Sequence, residues 1–183
     1  SATAQLSRVN LSLLKPLELT RIKAAPQPFA AFSASAESLR DSIVVSIVKT
    51  QIGTRYVHGG SSPTSGFDCS GLVKYVMAAL HVALPRTAAQ QAQSGLALGR
   101  DTTGLRPGDL LTFGKGRRGG VSHIGIYIGH GRFVHASSVA GRVIESPIDR
   151  PPSPLIKVWR GSRRVVAGAD SRPNVSAATR GDS

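Results

Sequence analysis

The chain has 183 residues, 40% of them hydrophobic and 5% aromatic, which suits one domain with a real core and short flanks, and no stretch approaches the roughly 20 apolar residues of a membrane-spanning helix. Lys and Arg number 23 against 10 Asp and Glu, a net +13, and residues 41–164 alone carry 16 basic and 6 acidic groups, so the charge belongs to the body of the chain and not to a tail. A surface of that sign attracts polyanions, whether nucleic acid, anionic lipid or acidic polymer, and a single cysteine excludes an internal disulfide.

Residues 1–37 mix Ser, Ala and Pro without a sustained period, and Pro26 and Pro28 are expected to break any helix there. The segment reads as a linker or extension in which Leu11, Leu13, Leu14, Leu17 and Leu19 form a short apolar patch. The start at Ser1, with no Met, basic n-region or apolar h-region, reads as a chain from which any export signal is already absent. Ser38 to Ile52 is predicted to be a helix, with Leu39, Ile43, Ile47 and Val48 on its buried face and Gly53 as its stop. Gly59 to Gly66 reads as a loop. A second helix runs from Cys69 to about His81 on the apolar face Leu72, Val73, Val76, Met77 and Leu80, and a short one follows from Thr87 to Gln93.

After Pro107 the period changes. Asp109–Phe113, Val121–Ile128, Arg132–Ser137, Arg142–Ser146 and Leu155–Trp159 are short apolar or β-branched runs bounded by Gly and Pro, the pattern of strands. Helices first and a contiguous antiparallel sheet second make an α+β domain over residues 38–164. Gly114 to Gly120 is expected to be a mobile basic loop, and residues 165–183, poor in apolar groups, a disordered tail.

The only cysteine lies in Gly66-Phe67-Asp68-Cys69-Ser70-Gly71, a turn feeding an apolar helix, and His123 and His135 follow on neighbouring strands. Cys69 could be a buried small hydrophobe, the usual fate of a lone Cys, but turn and cap residues surround it. A thiol at a helix start sees the positive end of the macrodipole, and a nearby imidazolium adds to that, so a thiolate is expected at neutral pH. The pattern is that of a thiol nucleophile, Cys69, with His123 as its base and His135 as the group that orients the base. With a three-residue loop of Gly129, His130 and Gly131, Gly125 pairs with His135, and His123 and His135 share a face as diagonal neighbours. A zinc site is the other use of Cys and His, but no short-spaced ligand pair is present, so no metal is expected. His58, His81 and His130 read as spectators.

The segments Arg55-Tyr56-Val57-His58-Gly59-Gly60, Phe67-Asp68-Cys69-Ser70-Gly71, Leu84-Pro85-Arg86-Thr87 and Arg106-Pro107-Gly108-Asp109-Leu110, with both histidine segments, stand in the order and spacing of one family. From about Asp41 to about Arg164 the chain resembles the NlpC/P60 cell-wall endopeptidases. Each piece alone is common, but their order together is specific.

The resemblance implies a papain-like domain with the nucleophile at a helix start, packed on an antiparallel sheet. It further implies hydrolysis of the bond between D-γ-glutamate and a diamino acid, meso-diaminopimelate above all, in peptidoglycan stem peptides. Catalysis would rest on Cys69, His123 and His135, with no cofactor. Tyr56 would help hold the oxyanion or the substrate backbone, and Asp68 and Ser70 would form the pocket for the amino end of the stem peptide, beyond their plainer reading as helix caps. Arg86 and Trp159 read as structural. Partners would be stem peptides and anionic wall polymers, with no specific nucleic acid, and the protein would act as a monomer, periplasmic or secreted from a bacterium. The alternatives are a papain-like amidase or acyltransferase on another acyl group, and a catalytically inactive basic wall-binding module.

Overall fold

The computed structural model describes residues 28–116, 118–148 and 155–166. Of the linker expected over residues 1–37, residues 1–27 lie outside the described residues and 28–37 belong to the first helix; of the tail expected over 165–183, residues 167–183 lie outside them, and Val165 and Val166 pack against the core. Three helices precede or interrupt a sheet: α1 (Pro28–Lys49), α2 (Cys69–Ala78) and α3 (Ala88–Gln91). The strands are β1 (Ser61–Ser62), β2 (Gly66–Phe67), β3 (Leu96–Gly99), β4 (Leu110–Gly114), β5 (Val121–Gly129), β6 (Arg132–Ser137), β7 (Arg142–Pro147) and β8 (Trp159–Arg164). The α+β class is as the sequence predicts. β3 to β8 form one antiparallel sheet in the order β3-β8-β4-β5-β6-β7, and β1 and β2 make a small hairpin of their own.

Several boundaries differ from the sequence reading. α1 begins at Pro28 rather than Ser38, because a proline in the first helical turn removes an N–H that would be unpaired anyway and brings a helical φ with it. The buried stripe of α1 is also rotated from the predicted one. Val44 and Val48 are buried, whereas Leu39 and Ile43 are 63% and 41% exposed. The Gly59–Gly66 loop contains the β1–β2 pairing, Ser61 opposite Phe67. The sheet edge β3 was not visible in Leu96-Ala97-Leu98-Gly99, whose side chains are largely exposed. Leu155–Trp159 is not a strand: Ile156–Val158 is a 3-10 turn and the strand starts at Trp159. That strand carries Arg160, Arg163 and Arg164, all half-buried, while Ser162 between them is buried.

α2 keeps most of its predicted stripe, with Leu72, Val73, Val76 and Met77 fully buried against Leu110, Ile124, Ile126, Val134 and Ala136 of the sheet, but it ends at Ala78 and not near His81, so that Leu80 lies half-buried in the turn beyond it. The other sheet face carries a second cluster, Leu111, Phe113, Tyr127, Phe133, Ile148 and Trp159. The basic loop after β4, expected to be mobile, is tied down among its described residues. Its ends close through Lys115 N to Gly120 O (3.1 Å) and Gly119 N to Lys115 O (3.1 Å), and Arg160 Nη2 donates to Gly116 O at 2.7 Å.

Candidate active site

Cys69 is the first residue of α2. Asp68 caps the helix in an extended conformation, φ −91° and ψ 176°, and its Oδ1 accepts from Gly71 N at 2.7 Å, satisfying a donor that the helix start leaves open. Gly71 must be glycine here, since a Cβ would strike the Gly60 carbonyl oxygen. The close approach lets Asp68 N donate to Gly60 O at 3.1 Å and Asp68 Oδ2 accept from Gly59 N at 2.9 Å. The turn preceding the helix is thus locked onto its first residues, and the thiol is placed by backbone geometry.

Burial pushes the Cys69 thiol pKa up, and the Asp68 carboxylate beside it adds to the rise, while backbone N–H groups of Ile124, Ser70 and Cys69 itself pull it back. The net direction is upward. This corrects the expectation of a thiolate at neutral pH: the helix-start donors are present but do not outweigh desolvation.

The two histidines meet. His123 Nε2 and His135 Nδ1 are 2.8 Å apart, with the rings edge to face at 82° and a centroid distance of 4.9 Å. His135 is 4% exposed and stacks on Phe133 at 4.9 Å. Its other ring nitrogen, Nε2, lies 3.0 Å from Ser146 Oγ. Burial lowers the His123 pKa to about 4. Burial and the neighbouring His123 lower His135 to about 3. Both rings are therefore neutral at physiological pH, and with Nε2 committed to His135, Nδ1 of His123 is the nitrogen left for a thiol proton.

The hairpin that brings them together is built differently from the expected one. Ile126 pairs with Val134 and Tyr127 with Phe133, but Gly129, not Ile128, faces Arg132. The turn is the two residues His130 and Gly131, both with positive φ of 54° and 68°, as a type I′ turn requires. A two-residue turn alone would put the histidines on opposite faces. The irregularity between Tyr127 and Gly129 inserts one residue and restores the parity.

Tyr56, Cys69, Ser122, His123, His135 and Ser146 line a cavity of about 610 Å³, which Val139 and Ile144 also border. A second cavity of about 510 Å³ shares Tyr56, Cys69 and Ser122 with it and is walled by His58, Asp68, Ser70 and Arg86. Cys69 therefore stands where two pockets join. Burial, followed by the charges of Cys69 and Asp68, raises the Tyr56 pKa, so its phenol stays protonated and able to donate. His58, read as a spectator, belongs to the second pocket. His130 is a turn residue, and His81, with φ 60°, lies in the turn that follows α2.

Arg86 is the residue that sequence reasoning undervalued. Its guanidinium forks onto Asp68, with Nη1 to Oδ1 at 2.9 Å and Nη2 to Oδ2 at 2.7 Å. It also donates to Ser70 Oγ at 2.9 Å and Gly60 O at 3.3 Å. Burial would raise the Asp68 pKa, but the Arg86 fork and the N–H groups of Gly71 and Gly59 hold it below its ordinary value. Buried Gln91 supports the same corner, its Nε2 donating to Ser70 O at 3.0 Å and Pro85 O at 2.9 Å. The only hint in the sequence was Arg86 following a Leu-Pro pair and preceding the Thr87 cap. Among the described residues no group of three or more His, Cys, Asp and Glu could hold a metal ion.

Chemically, the arrangement offers a nucleophile, a neutral base with an oriented tautomer, and N–H donors at a helix start where an oxyanion would form. The comparisons agree with that character. Over 105 residues the chain is 45% identical to a gamma-DL-glutamyl hydrolase of Bacillus subtilis, covering 57% of this chain and 25% of the relative. It is 42% identical over 87 residues to the murein DD-endopeptidase MepH of Escherichia coli, covering 47% of this chain and 32% of that protein. The fold superposes on the peptidoglycan hydrolase RipB of Mycobacterium tuberculosis with a TM-score of 0.57 and 27% identity, over 79% of this chain and 70% of the other. The chain thus spans about a quarter to a third of the length of these two curated relatives. Residues 53–158, which hold Tyr56, Cys69, His123 and His135 together, match the NlpC/P60 family along their whole length, and the chain belongs to that family.

Proposed function

We propose that the protein is a peptidoglycan hydrolase, a cysteine endopeptidase that cuts the bond between D-γ-glutamate and the diamino acid, meso-diaminopimelate, of stem peptides. The observation that carries this reading is the position of Cys69 at the junction of two pockets, with the His123–His135 pair in one and the Asp68–Ser70–Arg86 cluster in the other. A peptide lying across Cys69 would place its acyl part on one side and its leaving amine on the other.

Because burial favours the neutral thiol and the neutral imidazole, the proton moves as the bond forms. Cys69 Sγ attacks the γ-carbonyl while His123 Nδ1 takes the thiol proton, and the carbonyl oxygen becomes an oxyanion met by the Cys69 backbone N–H and the Tyr56 hydroxyl. His123 then returns the proton to the departing amine. Water, deprotonated by the same nitrogen, releases the acyl group from sulfur. Asp68 and Ser70 form the wall toward the amino end of the stem peptide. A carboxylate has about four lone-pair sites, and Gly59, Gly71, Ser70 and Arg86 already engage those of Asp68. The Asp68 side chain therefore acts by shaping this wall, more than as an open acceptor.

The basic body suits an anionic wall and supports work in the periplasm or outside the cell. The names of the relatives point to different bonds, so the bond is the point to test. Purified sacculi and free muropeptides are each incubated with the protein and the products weighed by mass spectrometry. Glycan-linked stems that end in D-glutamate, together with released fragments that begin with the diamino acid, are expected. Products opened only at D,D-crosslinks, or no products, would overturn the assignment.

A further inference from the structure

We propose that Ser146 is a positioning residue of this site: its hydroxyl oxygen accepts the His135 Nε2–H and so fixes which way the two histidines pass their hydrogen bond. The inference rests on the cysteine-hydrolase reading above. His123, His135 and Ser146 stand on β5, β6 and β7, one residue per strand. His135 pairs with Ile144 and Phe133 with Ser146, so Ser146 is the diagonal neighbour of His135 on the same sheet face, as His123 is on the other side. The chain of contacts is His123 Nε2 to His135 Nδ1 at 2.8 Å, then His135 Nε2 to Ser146 Oγ at 3.0 Å.

Two neutral arrangements satisfy those distances. In one, the Ser146 hydroxyl donates to His135 Nε2, His135 Nδ1–H donates to His123 Nε2, and the hydrogen of His123 sits on Nδ1, where it blocks the base. In the other, His123 Nε2–H donates to His135 Nδ1, and His135 Nε2–H donates to Ser146 Oγ, leaving His123 Nδ1 open to the thiol. Only the second allows catalysis.

The same direction is demanded once His123 has taken the proton. An imidazolium has hydrogens on both nitrogens, so His123 Nε2–H needs the His135 Nδ1 lone pair as acceptor. A neutral His135 with that lone pair free must carry its hydrogen on Nε2. That hydrogen then needs an oxygen, and His135 is 4% exposed, so bulk water is a poor substitute. Ser146 supplies the oxygen when charge appears two bonds away. The Ser146 oxygen, 3.0 Å from His135 Nε2, accepts that hydrogen with its own hydroxyl hydrogen turned away.

The test uses the intact protein and Ser146→Ala and Ser146→Thr, with two readouts. Nitrogen-15 NMR of the imidazole rings near neutral pH reports the tautomers without any substrate. Wild type is expected to carry hydrogen on Nε2 of both His123 and His135, and Ser146→Ala to shift both rings toward the Nδ1–H form. In steady-state assays kcat of Ser146→Ala should fall about tenfold, the order expected when a buried donor loses its acceptor, with KM within about twofold, and Ser146→Thr should restore both tautomers and rate. Hydrogen on Nδ1 of His135 in wild type, or wild-type kcat in Ser146→Ala, would overturn the proposal. A loss that Ser146→Thr does not recover would mean packing rather than an acceptor, and would overturn it too. If wild type cuts no stem peptide, the hydrolase reading fails while the tautomer measurement still decides the role of Ser146.

Discussion

Gly125 and His135 face each other across β5 and β6, and the absence of a side chain at Gly125 is what lets the two histidines meet. A Cβ built there would lie 2.7 Å from Phe133 Cδ2 and 3.1 Å from His135 Cβ. Phe133 is fully buried and stacked on His135, so neither ring has room to retreat.

Gly125→Ala is therefore expected to displace the His135 ring more than it unfolds the sheet. Overpacking of this kind costs about 1–3 kcal/mol, while a displaced orienting group should cut kcat at least tenfold. Calorimetry and kinetics on one preparation separate the two effects. Wild-type turnover in Gly125→Ala would mean that the His123–His135 contact is not needed in the rate-limiting step.

The meeting of His123 and His135 was legible from strand parity, yet through a turn the sequence did not reveal. His130 and Gly131 make a two-residue turn, and an irregularity at Gly129 compensates; a three-residue loop and a two-residue turn with one inserted residue give identical parity, so the pattern alone cannot distinguish them. α2 was legible because its apolar stripe is continuous and its cap chemistry local. The register of α1 and the strand β3 were not, since both depend on which sheet edge or neighbour covers them. Arg86, read as structural, does tie structure together, but its place at the pocket wall was not legible, because its partners Asp68, Ser70 and Gly60 are remote in sequence and become a cluster only in the fold.

Acid should destabilise the protein before its carboxylates titrate. His123 and His135 have pKa values near 4 and 3 in the folded state against about 6.5 in an unfolded chain. Between those limits the unfolded chain binds more protons, so stability falls as pH drops from about 6.5 toward 4, at roughly 1.4 kcal/mol per pH unit for each histidine. Asp68 adds its loss only lower, as pH falls from the ordinary carboxylate value through its own lowered pKa. Melting curves between pH 7 and 4.5 should show the effect, and His135→Gln, with nothing to titrate, should be less steep. Equal slopes in wild type and variant would mean His135 is not held neutral by burial.

Cys69→Ala should bring turnover below about a hundredth of wild type with a thermal midpoint shifted by only a few degrees, because the half-buried thiol contributes little packing and all of the nucleophilicity. The pH profile of the wild type tests how that thiol works. Since burial raises Cys69 and lowers His123, kcat/KM should rise through about pH 4, as His123 becomes free to accept a proton, and stay level past neutrality until the thiol ionises above its ordinary range. A bell centred near pH 6.5 with a falling limb at pH 7 to 8 would instead mark a resting thiolate–imidazolium pair.

Arg86 offers the sharpest separation of shape from charge in the second pocket. Its fork onto Asp68 is planar and bidentate, and the same guanidinium reaches Ser70 and Gly60, so it clamps the helix cap, the preceding turn and the pocket wall together. Lysine keeps the charge but is a point donor that cannot span both carboxylate oxygens. Arg86→Lys should thus raise KM for muropeptides severalfold while leaving kcat within about threefold, since the thiol and histidines do not touch it. Arg86→Ala should raise KM further and lower kcat as well, because Asp68, freed from its fork, loosens the cap that places Cys69. In parallel, the acid loss of stability tied to Asp68 should move to higher pH in Arg86→Ala, as the carboxyl recovers toward its ordinary value. Unchanged KM in both variants would show that substrate does not enter the pocket walled by Asp68, Ser70 and Arg86, and that its amino end is held elsewhere along the groove.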